Sequence, residues 1–170
     1  MNRGRRRHSP LPGPRRVLRA LLALCAWPLA APHAVAGAPA VRAVLSVAGR
    51  RLELPPERLA HSALVELCEA QVRGADGVLR LAVSNDTIAV LQRDAMTVEL
   101  VYAEPRTFAL AVGGGSIVAN RLLVPLSGEL AGSITTIFHG NPEYRAGPLR
   151  NQRGSAGIAS AVDALRKPAR

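Results

Sequence analysis

Aromatic side chains are scarce in this sequence: two Phe, two Tyr and one Trp in 170 residues. So thin a supply excludes the stacked platforms on which carbohydrates or unpaired bases are held. Cysteine is equally thin, with Cys25 and Cys68 as the only two. Cys25 lies in the segment read below as a removed leader, which leaves Cys68 alone and no internal disulfide to form. Beyond residue 40 the histidines are His61 and His139, and neither has a second ligand at metal spacing. No metal and no cofactor is therefore expected. Lysine is nearly missing: Lys167 is one of 22 basic residues, the rest being arginine.

Acidic residues are missing from the first 36 positions, where Arg3, Arg5, Arg6, Arg7, Arg15, Arg16 and Arg19 precede the apolar run Ala20 to Ala31. A basic segment, an apolar run and then small residues is the pattern of an export leader. Ala34-Val35-Ala36 places the cleavage after Ala36, with Ala38-Pro39-Ala40 as the alternative. The run is about twelve residues, too short to span a bilayer, so no stable membrane span is expected after cleavage. Leu24 before Cys25 sits where lipid attachment wants a small residue. Pro14-Arg15-Arg16-Val17-Leu18-Arg19 is part of a twin-arginine signal but lacks the usual Ser or Thr before the pair, so both export routes stay open. The chain is thus expected to divide into a signal peptide over 1–36, one small domain over 37–165 and a flexible basic tail over 166–170. Its expected place is the periplasm or the medium.

Removing the leader changes the charge. Seven of the 22 basic residues lie before residue 37, leaving 15 against 12 acidic groups, so the net +10 falls to +3. The high isoelectric point belongs to the leader, and nucleic acid is excluded as a partner on that ground. Residues 37–144 carry 9 basic and 11 acidic groups, whereas 145–170 carry 6 basic groups and Asp163 alone.

The remaining pattern predicts an α+β fold, with one main helix packed on an antiparallel sheet of about five to seven strands. Val41 to Val47 alternates as a strand, and Ala48-Gly49-Arg50 turns it into a partner at Arg51 to Leu54. After Pro55-Pro56, apolar residues at three- and four-residue spacing predict a helix over 57–72, ending at Gly74. Val78 to Val83 reads as a strand. Thr87 to Arg93 reads as a short helix capped by Ser84-Asn85-Asp86, or equally as a strand. From Met96 to His139 a period of two recurs: Met96, Val98, Leu100 and Tyr102 on one face, Thr97 and Glu99 on the other. Glu104-Pro105 breaks it, Phe108 to Val112 resumes it, and Gly113-Gly114-Gly115 reverses the chain. Ile117 to Leu126 and Ser133 to His139 supply two more strands, and Ile158 to Leu165 a last short helix.

Catalytic constellations are not formed by this spacing. On a helix, Cys68 and His61 are seven residues apart, roughly 10 Å between backbones, so they do not form a nucleophile–base pair. Gly113-Gly114-Gly115-Ser116 has no following Lys, and no serine sits in the hydrolase elbow. The stretch that concentrates recognition chemistry is the turn after residue 138, where His139, Asn141, Glu143, Tyr144 and Arg145 bring an imidazole, an amide, an acid, a phenol and a base together. Arg121, Arg150 and Arg153 are candidates to extend it into an anion-binding surface. The reading is a non-catalytic binding or interaction module of the bacterial cell envelope, taking a protein or a small anionic ligand. Two alternatives stand beside it. A small hydrolase or transferase needs scattered groups such as Glu129, His139 and Glu143 to converge. An apolar-ligand carrier needs a cavity on the order of several hundred Å3 between helix and sheet.

Overall fold

The computed structural model describes residues 40–166; the leader, its cleavage sites and Lys167 to Arg170 lie outside the described residues. The fold is α+β. Seven antiparallel strands form one sheet: β1 (Val41–Val47), β2 (Arg50–Leu54), β3 (Gly77–Val78), β4 (Thr97–Ala109), β5 (Ser116–Pro125), β6 (Thr135–Gly140) and β7 (Leu149–Asn151), in the spatial order β2-β1-β4-β5-β6-β7-β3. Three helices are described: α1 (Leu59–Arg73), α2 (Asn85–Asp94) and α3 (Ala156–Arg166). Among the described residues, no helix is long and apolar enough to cross a membrane.

Successive strand residues point to opposite faces, and both faces are covered. On one face Leu45, Val98, Leu100, Leu122 and Ile137 pack against Leu64, Cys68 and Val72 of α1 and Ile158, Val162 and Leu165 of α3. On the other, Leu123 and Phe138 meet Ile88 of α2 and Tyr144. The helix layer is therefore not one main helix: α3 lies beside α1, and α2 covers the opposite face. This also corrects the reading of Met96 to Tyr102 as a half-buried strand, because Thr97 and Glu99 on its second face are both fully buried.

Three other differences have local causes. Glu104-Pro105 does not end β4 but forms a bulge, where Val101 pairs with Arg121 and the next pairing is Arg106 with Ala119. Val78 to Val83 is not a strand beyond Val78, because β7 is three residues long and offers partners only to Gly77 and Val78. The expected helix over 57–72 starts at Leu59, since residues 56–58 form a turn across which the Arg58 N–H donates to the Pro55 carbonyl at 3.4 Å, and the Arg58 backbone is still extended. The short stretch read as helix or strand is α2, with the Ser84 hydroxyl accepting from the Thr87 N–H at 3.2 Å as its cap. Gly113 and Gly114 take φ of 82° and 62° between β4 and β5, the left-handed region open to glycine.

Candidate functional site

His139 stands near the end of β6, and the loop from there to β7 carries the other four residues singled out by the sequence; the shape of that loop follows from one anchored side chain. Tyr144 is buried among Ile88, Leu123 and Phe138. Its hydroxyl donates to Glu99 Oε1 at 2.9 Å, and the Arg121 guanidinium lies 5.3 Å from its ring centroid. Burial, then the adjacent Glu99 carboxylate, push the phenol well above its usual value, so it remains a protonated donor. With Tyr144 turned in, Glu143 and Arg145 turn out and form an ion pair with each other. Gly140 lets the loop close on itself: a Cβ there would stand 2.6 Å from the Glu143 carbonyl oxygen.

His139, Asn141, Glu143 and Arg145 then line one hollow of about 400 Å3, together with Pro142 and Val118. His139 is half-buried, and loss of solvent lowers its pKa, while the Gly147 backbone offsets part of that shift. At neutral pH the imidazole is uncharged, and the hollow takes its positive charge from Arg145. Four of the five sequence-selected residues thus share a surface. Tyr144 is the exception, serving as the anchor beneath it.

The wider arginine surface does not form, since none of Arg121, Arg150 and the exposed Arg153 lines that hollow. Arg121 Nε and Nη2 donate to Glu99 Oε1 at 3.0 and 2.5 Å, on the sheet face under α2. Arg150 Nε donates to Asp76 Oδ1 at 3.0 Å. Neither guanidinium is free for a ligand at the His139 hollow. Glu129 lines a different hollow, with Leu79, Ser133 and Arg150.

Two buried carboxylates were missed by the sequence reading. Glu99 accepts from Tyr144, Arg121, Arg51 (Nη2, 2.7 Å) and Gln92 (Nε2, 3.1 Å). Glu69, on α1, accepts from Tyr102 at 3.1 Å, Arg106 at 2.6 Å and Arg73 at 3.2 Å. In both, a tyrosine hydroxyl and an arginine share a glutamate, and that arginine lies over the tyrosine ring, 5.2 Å from its centroid for Arg106 over Tyr102. Such networks hold elements together: Glu69 joins α1 to the bulge of β4, and Glu99 joins β2, β4, β5, α2 and the site loop. The sequence signal for Glu99 was its position between Val98 and Leu100. Alternation alone assigned it to an outer face, and α2 covers that face.

Cys68 is fully buried on α1, and burial, with Glu69 adding to it, pushes its thiol up to about 12. Among the described residues, no three or more His, Cys, Asp or Glu side chains gather as metal ligands. No family model matches the chain, and no curated protein and no solved structure resembles it significantly.

Proposed function

We propose that this chain is an exported binding module of the bacterial cell envelope, without catalysis of its own, and that it captures a small anionic ligand or a protein partner through the His139 hollow. The supporting observation is the convergence of His139, Asn141, Glu143 and Arg145 on one surface of about 400 Å3, held by the inward Tyr144. That volume is within the range of small-molecule sites, roughly 300–1,000 Å3. An anion displaces the Glu143 carboxylate from Arg145 and gains the amide of Asn141 beside it, while the neutral imidazole of His139 supplies a hydrogen bond. A non-catalytic role is supported by the protonated, buried Cys68 and by Glu129 lying on a different hollow from His139 and Glu143. Export rests on the basic and apolar leader.

The test is native mass spectrometry of the protein recovered from the exported fraction, compared with a Glu143→Ala/Arg145→Ala variant. The reading expects a chain beginning at Gly37, a bound adduct in the parent, and loss of that adduct in the variant with no change in Tm. A chain beginning at Met1 removes the export half. An adduct that survives in the variant removes the site. Tyr144 is kept out of the variant because its loss disturbs the fold.

A further inference from the structure

We infer that a second, separate hollow, between the β1–β2 hairpin and the C-terminal end of α3, binds a single-chain amphiphile with an anionic head, of the long-chain fatty acid type. The hollow measures about 710 Å3. Its floor is apolar: Leu45 and Val47 of β1 and Leu52 of β2 line it, and Leu45 pairs directly opposite Leu52 in the ladder. Leu52 is 55% exposed, a large apolar side chain standing open beside this floor. The rim is cationic, with Arg50 and Arg166; Arg51 also borders it but its guanidinium is turned to Glu99, and among the described residues no carboxylate lines the hollow.

Two features separate this rim from ordinary charge on an edge strand. Charged side chains on an outer strand discourage unwanted pairing, and β2 is the outer strand here. On its other face that charge is balanced, since Arg51 bonds Glu99 and Glu53 stands 4.0 Å from Arg42. On the hollow's face Arg50 alternates with Leu52, and neither Arg50 nor Arg166 has an ion-pair partner among the described residues. Secondly, the C-terminal end of a helix carries partial negative charge and repels anions. At α3 that charge is met by Arg58, whose Nη1 donates to the Leu165 carbonyl at 2.9 Å, so Arg166 is left for another anion.

Both halves of the ligand follow. A bare inorganic anion leaves the Leu45, Val47 and Leu52 floor in water, and a neutral oil leaves Arg50 and Arg166 without a counter-charge. An apolar chain with one anionic head satisfies both. The site does not depend on the His139 hollow.

The experiment titrates the intact protein with carboxyl-labelled dodecanoate, kept below its micelle concentration, and follows the carboxyl resonance. Dodecyltrimethylammonium and acetate are the controls for tail and head. Dodecanoate is expected to saturate at one per chain, with both controls at least tenfold weaker. Arg50→Glu and Leu52→Asp, both at exposed positions, should each weaken dodecanoate tenfold or more without moving Tm, while Glu143→Ala/Arg145→Ala leaves it unchanged. Equal binding of the two dodecyl compounds overturns the proposal, as does full affinity in both hairpin variants. Association with anionic vesicles but not with monomeric dodecanoate also overturns it, and points to a membrane surface instead.

Discussion

The hydroxyl of Tyr144 donates to the carboxylate of Glu99 at 2.9 Å, and this one bond ties the site loop to the centre of the sheet. Glu99 is the middle of a chain of contacts from the outer strand, through Arg51, to the loop, through Tyr144. Tyr102 repeats the relationship with Glu69 on the other face. The two tyrosines of the chain are thus both spent on holding elements together, which leaves the amide, imidazole and charged groups of the loop as the ones that line the hollow.

Tyr144→Phe keeps the ring packing and removes only the hydroxyl. It should cost about 1.5–3 kcal/mol, the usual worth of a hydrogen bond to a charged group. Urea unfolding measures it, and an unchanged midpoint would show that the bond does not anchor the loop.

Glu99→Ala is expected to be far more damaging. Arg121 and Arg51 lose their shared counter-charge, and Arg121, about one-third exposed at its side chain, cannot return fully to water. Removing one member of a buried ion pair costs about 3–5 kcal/mol, and the partial exposure of both arginines places this case near the lower end. The double variant Glu99→Ala/Arg121→Met should recover part of the loss. If the double variant is no better than the single one, stranded charge is not the cause.

How much of this was readable beforehand depended on whether a signal was local. The three- and four-residue spacing of Leu64, Cys68 and Val72 found α1, and the alternation of Leu45 with its neighbours found β1, because each element's own residues carry the period. The site loop was legible because its polar and turn residues are contiguous. Tyr144 was read as a recognition residue because its chemistry matched the neighbours'. Its inward direction is set by Glu99, forty-five residues earlier, and no local pattern carries that. β7 and the shortness of β3 were equally hidden, since a ladder of two pairs leaves almost no period in either strand.

Cys68 should be silent to thiol reagents while the protein is folded. Its sulfur is fully buried and its thiol is pushed up to about 12, so almost no thiolate is present at pH 8. Labelling with a thiol-specific reagent is expected to reach completion only above the unfolding midpoint in urea. Rapid labelling of the native protein would mean that α1 opens locally and exposes the site.

His139 gives the fold a pH dependence whose sign is set by burial. Its pKa is lowered in the folded chain from the ordinary 6.5, because the cation is poorly solvated where the ring sits. Above 6.5 the ring is neutral in both states, and its contribution to stability is fully present. As pH falls through 6.5 the unfolded chain takes up a proton that the folded chain still refuses, so stability is lost until the folded value is passed. His139→Gln, which cannot titrate, removes this component. The stability of the parent minus that of the variant should therefore decrease from pH 7.5 towards acid and then level off. A difference that stays flat across 6.5, measured by urea unfolding at each pH, would show that the ring is solvated after all. It would also remove the reason for assigning the positive charge of the hollow to Arg145 alone.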